Sequence, residues 1–122
     1  MNYINKYDIR DKLLQISDED IAEANAYVSD LANGLGVNIE LIPKAVPVKV
    51  KRLAVVYACY VCCVNHIGTD STTTFDNGER QDIFEQKMNT YKAEMEDIVA
   101  TLTAKDFLGS QSGGKGIPLW RA

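Results

Sequence analysis

Apolar residues along this chain recur mostly at spacings of three and four, the period of an amphipathic helix. Ile9, Leu13 and Ile16 share a face if residues 7–16 wind as a short first helix. Ser17 or Asp18 then caps a second helix, whose acidic start, Asp18-Glu19-Asp20, suits the positive end of the helix dipole. Ile21, Ala24, Val28, Leu31 and Leu35 make its apolar stripe, and Gly34 and Gly36 are stop signals. A connector with Pro43 and Pro47 follows. Pro47 fits the first turn of a third helix that runs to about residue 67. Residues 53–64 are apolar on every side, as in a helix surrounded by protein. The polar stretch 68–80, GTDSTTTFDNGER, reads as a long loop whose one large apolar residue is Phe75. A fourth helix is expected over about 81–103. There Phe84, Met88, Tyr91, Met95, Ile98 and Leu102 alternate by four and three, an a/d seam. The periodic pattern stops at Gly109.

The expected fold class is therefore all-α: a small helical bundle of about four helices with a long loop and an extended C-terminal tail. Residues 1–108 form the helical domain and residues 109–122 a flexible docking tail.

At 122 residues the chain suits one domain that buries a core without disulfide staples. Its net charge of -4 lacks the basic excess of a general nucleic-acid binder. No signal-peptide pattern is visible. The apolar run 53–64 is shorter than the ~20 residues that span a bilayer. Three cysteines, Cys59, Cys62 and Cys63, are crowded together and odd in number. They are no disulfide framework, so a reducing, cytoplasmic origin is expected.

Several stretches invite a chemical reading. GSQSGGKG, residues 109–116, fits all but the last letter of a phosphate-loop pattern. A phosphate loop joins a buried strand to a helix, and Ser or Thr after the lysine holds magnesium. Here Gly116 stands in that place, a helix lies upstream, and Pro118 disfavours a helix downstream. A Gly/Ser linker fits better. Cys59, Cys62, Cys63 and His66 fall on one helix face, so a metal site or redox switch is one reading. One straight helix rarely supplies four tetrahedral ligands, and small cysteines packed in a core are the simpler account. Residues 70–79 lack the alternating acids of a calcium loop, and Asp76-Asn77-Gly78 reads as a turn. The run Thr72-Thr73-Thr74 could pair as an edge strand with a neighbour. No Ser/His/Asp grouping suggests hydrolysis. Lys44, Lys49, Lys51 and Arg52 form a basic cluster with no acid between its members: a solvated patch, a contact for a subunit or acidic partner, or, in a DNA-binding regulator, a surface for nucleic acid. Trp120, the only tryptophan, lies in Ile117-Pro118-Leu119-Trp120-Arg121, an apolar group beyond a Gly/Ser tether. Such a group suits a partner's pocket, because Trp and Arg are enriched at interface hot spots. Folding back onto its own domain is the alternative.

The order of parts resembles the small head–tail connector (adaptor) proteins of tailed bacteriophages. Tyr7-Asp8-Ile9 followed by Asp18-Glu19-Asp20-Ile21-Ala22-Glu23-Ala24-Asn25-Ala26-Tyr27-Val28 looks like their first long helix. Pro47-Val48-Lys49-Val50-Lys51-Arg52-Leu53-Ala54-Val55-Val56-Tyr57-Ala58 looks like their proline-started core helix. A long loop, a helix with Lys87, Tyr91 and Glu94, and the C-terminal segment complete the likeness, which spans about residues 3–108. The resemblance implies a virion protein, a homo-oligomeric ring and commonly a dodecamer, placed between the portal and a tail or stopper protein. It implies that genomic DNA passes through without sequence recognition, and neither enzyme activity nor a cofactor. By position it assigns portal docking to Ile117, Pro118, Leu119, Trp120 and Arg121. Neighbour or tail-side contacts fall to the loop with Thr72, Thr73, Thr74 and Phe75, and the basic turn Lys49, Lys51 and Arg52 is a further contact. The residue-level alternative is a metal- or redox-responsive sensor built on Cys59, Cys62, Cys63 and His66.

Overall fold

Ser17 opens the first long helix through a reciprocal cap. Its Oγ accepts the Asp20 N–H at 3.1 Å, and the Asp20 carboxylate accepts the Ser17 N–H at 3.1 Å. The computed structural model describes residues 2–12, 14–66, 74–76, 79–81 and 83–109, the two short strands by backbone alone. Helix α1 (Asp18–Gly34) ends where Gly36 turns to φ 80, a conformation that favours glycine. The Gly36 N–H then bonds Asn33 O at 3.0 Å and the Val37 N–H bonds Ala32 O at 2.9 Å, which satisfies the last carbonyls. Helix α2 (Val48–His66) starts directly after Pro47, whose carbonyl accepts the Lys51 N–H at 2.9 Å. Helix α3 (Ile83–Ala100) and a five-residue α4 (Ala104–Leu108) complete the all-α bundle.

Helix α2 is central, with α1 and α3 packed on it. That is why its sequence is apolar all round: Val50, Leu53, Ala54, Ala58, Cys62 and Cys63 are fully buried. The pattern opens at both ends, where Val48 is exposed and Val64 half exposed. Tyr27 of α1 stacks flat on Tyr57 of α2, with ring centroids 3.9 Å apart. The expected seam of α3 meets α2 as drawn, but only Phe84 is fully covered. Met88, Tyr91, Met95, Ile98 and Leu102 are half-buried against the core.

Three local expectations are corrected. The first helix over 7–16 does not form; only Lys6–Asp8 makes a single 3-10 turn. An isolated helix this short is marginal in water, and extended backbone lets the segment reach further. Tyr3, Ile4 and Leu14 are buried, Ile9 and Ile16 of the predicted face are half-buried against the core, and Leu13 lies outside the described residues. Asn25 holds the segment's start, its Oδ1 accepting the Tyr3 N–H at 2.8 Å and the Ile4 N–H at 3.3 Å. The stretch read as a loop holds a hairpin, β1 (Thr74–Asp76) antiparallel to β2 (Glu79–Gln81), with Phe75 opposite Arg80. Asn77-Gly78 between them is a strong hairpin signal in sequence. Finally, the fourth helix does not run on to Thr103. It ends at Ala100, and α4 restarts after Thr103, whose N–H bonds the Asp106 carboxylate at 2.8 Å.

Candidate docking cleft

The first two turns of α2 carry three cations where the dipole would favour acids. Each is held by a different element. Lys51 Nζ lies 3.1 Å from Asp8 Oδ1 of the N-terminal segment. Arg52 pairs with Glu94 of α3. Lys49 Nζ reaches Asp106 Oδ2 of α4 at 3.2 Å and donates to the Thr101 carbonyl at 2.9 Å. Exposed pairs of this kind contribute about 0–1 kcal/mol each, so their effect is to fix where three elements sit around α2. Asp8 is held below the ordinary carboxylate range, first by the Asn5 N–H and then by Lys51. Asp106 is also lowered: burial opposes this, but the Thr103 N–H and Lys49 outweigh it.

Between the N-terminal segment, α2 and α3 these contacts leave a cleft of about 450 Å³. Val55, Val56 and Cys59 form its apolar floor. Its charged walls balance: Arg10, Lys51 and Arg52 against Asp8, Asp11 and Glu94. Tyr7 and Val48 stand on its rim at 96% and 84% exposure, the two most exposed large apolar side chains among the described residues. Isolated exposed apolar groups need no explanation; these two both line the same cleft. At the inner wall the Tyr91 hydroxyl donates to Asp11 Oδ2 at 2.5 Å, and Lys87 Nζ donates to the same oxygen at 2.8 Å. Burial and the Asp11 carboxylate together push the Tyr91 phenol far above its ordinary range. The cleft is therefore suited to holding an apolar side chain next to a charged one, with neither net sign favoured.

Sequence reasoning singled out Lys49, Lys51 and Arg52, and Lys51 and Arg52 line this cleft while Lys49 sits beside it holding α4. It missed Tyr7, Asp8, Arg10, Asp11, Val48, Tyr91 and Glu94. The one available signal was the absence of any acid within the basic cluster, which requires partners from elsewhere. Thr74 and Phe75 fall on β1; Thr72 and Thr73 lie outside the described residues. Ile117, Pro118, Leu119, Trp120 and Arg121 also lie outside them.

The cysteine face is part of the core. Cys59, Cys62 and Cys63 pack with Leu14 and Phe84. Cys62 Sγ points to the Gln15 carbonyl at 3.7 Å, and His66 Nδ1 lies 2.7 Å from the Cys62 carbonyl oxygen. Among the described residues no group of three or more His, Cys, Asp or Glu is placed to hold a metal ion. Burial raises Cys59 and Cys62 to about 11 and Cys63 to about 12. At pH 8 the thiolate fraction is then on the order of 100-fold below that of a free thiol for Cys59 and Cys62, and on the order of 1,000-fold below it for Cys63, before shielding is counted. All three thiols are expected to react with a disulfide reagent at least about 100-fold more slowly in native protein than in urea. Rapid native labelling of any one would revive the redox reading.

Among the described residues no helix is long and apolar enough to cross a membrane. No family model, curated protein or solved structure matches this chain.

Proposed function

We propose that this chain is a structural virion protein, the ring-forming head–tail connector subunit of a tailed bacteriophage. It would join the portal to a tail or stopper protein while DNA passes through. The observation that carries this reading is where the resembling stretches fall. Residues 18–28 lie on α1 and residues 47–58 begin α2, and the two are packed together through the Tyr27–Tyr57 stack. A body of three helices packed around α2, with Lys49, Lys51 and Arg52 paired to α4, the N-terminal segment and α3, gives such a ring its unit. The exposed rim of Tyr7 and Val48 and the β1–β2 hairpin offer contacts to neighbours. A two-stranded hairpin is marginal alone and gains from a further strand. Repeated over many copies, weak contacts become a stable ring.

The reading is tested by mixing the protein with the portal protein of the same phage and measuring mass and affinity. Full-length chain is expected to bind as a ring. Removing residues 109–122 should leave the helical content unchanged and weaken portal binding by at least about 30-fold, the loss expected for hot-spot anchors such as Trp120. A truncated chain that binds portal normally would refute the tail's role, and a strictly monomeric chain that ignores portal would refute the connector.

A further inference from the structure

The cleft beside α2 has an occupant within reach. Gly109, the last described residue, adopts φ 78 and caps α4. Helix α4 is anchored in the core by Phe107, its Asp106 pairs with Lys49 in the first turn of α2, and Val48 of that same turn lines the cleft. Residues 110–116, Ser-Gln-Ser-Gly-Gly-Lys-Gly, separate Gly109 from Ile117. Seven residues extend to at most about 25 Å, and they start from a helix whose Asp106 pairs with the turn of α2 that carries Val48. That volume lies within the ~300–1,000 Å³ of sites that take a ligand or a peptide's anchor side chains. The chemistry also matches. The apolar floor of Val55 and Val56 and the bare rim of Tyr7 and Val48 suit Leu119 and Trp120. Glu94 gives its Oε2 to Arg52, and its other carboxylate oxygen is an acceptor suited to the Arg121 guanidinium.

We infer that in the free subunit the segment Ile117 to Arg121 docks into this cleft of its own chain, with Trp120 over the α2 floor and Arg121 on Glu94. A tether this short gives a millimolar effective concentration, so the intramolecular contact outcompetes a second copy at micromolar protein. The docked tail would shield the cleft before assembly. Its release onto the portal rests on the connector reading; the intramolecular contact does not.

Trp120 is the only tryptophan, so its fluorescence in the full chain reports the contact directly. Docked, it should emit at shorter wavelength than a free tryptophan peptide and be quenched by acrylamide about twofold less or better, as for a mostly docked population. This protection should be unchanged on dilution through the micromolar range. Val48→Asp alters a side chain that is 84% exposed, so folding is safe, and Arg121→Glu falls beyond α4 in the sequence. Both should return Trp120 to the quenching of the free peptide. Three results overturn the inference: full quenching in the unaltered chain, protection that survives both substitutions, or protection lost on dilution, which would assign the cleft to another copy's tail. Portal binding is measured separately. A chain that protects Trp120 but ignores portal sinks the connector reading alone, and one that binds portal with Trp120 exposed sinks only the docked tail.

Discussion

Phe107→Ala is expected to lower the unfolding free energy by about 3–5 kcal/mol, the range for removing a buried aromatic. Phe107 is fully buried and is the largest such side chain among the described residues. It joins the cluster of Val28, Val50, Leu53 and Ala58, so the cavity would open in the main core, where α4 meets α2. The side chain belongs to a helix of five residues, far too short to persist without packing. Lys49 cannot hold α4 in its place, because an exposed ion pair contributes about 0–1 kcal/mol. Two readouts separate the ways the loss could occur. A fall in the urea midpoint at constant slope means the core keeps its extent with a hole in it. A shallower slope means α4 has left the body and the variant exposes less surface on unfolding. Leu108→Ala, at a half-buried neighbour, is the control and should cost well under half as much. If Phe107→Ala proves neutral, α4 is not part of the folded unit.

The parts that were legible in sequence are those governed by local rules. Ser17 and the acidic turn located the start of α1, Gly36 its end, and Pro47 the start of α2, since caps and proline act within a few residues. The all-round apolar stretch 53–64 marked the central helix for the same reason. The N-terminal segment was misjudged because Ile9 and Ile16 carry helical spacing, yet Asp8 and Asp11 are drawn to Lys51, Lys87 and Tyr91, up to 80 positions away. Nothing in a periodicity records such a partner. The hairpin was half legible: Asn77-Gly78 signalled the turn, while three-residue strands are too short for alternation to show. Of the cleft, Lys51 and Arg52 stood out as cations. Tyr7 and Val48 did not, because an apolar residue in sequence carries no mark of being left bare.

Asp11→Ala is expected to cost about 2–4 kcal/mol and to free the N-terminal segment from α3, because it strips two donors of one shared acceptor. Asp11 Oδ2 takes both the Tyr91 hydroxyl and the Lys87 ammonium, and the Asp11 side chain is only 12% exposed. Lys87 is about a third exposed and can regain water, which holds the loss below that of a fully buried pair. The Tyr91 hydroxyl, at the cleft's inner wall, has less recourse. Asp11→Asn keeps an acceptor oxygen but no charge, so it should fall between the two, at about 1–2 kcal/mol. A double-mutant cycle with Tyr91→Phe isolates the shared bond. Once the hydroxyl is gone, losing the carboxylate should matter less, with a coupling of about 1–2 kcal/mol. Amide exchange locates the effect: in Asp11→Ala the amides of residues 3–12 should exchange faster, while those of α1 and α2 slow or quicken only with global stability. A coupling near zero with unchanged exchange would mean that the segment is held by its other contacts, among them Asn25 with Tyr3 and Ile4 and Lys51 with Asp8. The carboxylate would then rest on Tyr91 without tying the chain's beginning to its third helix.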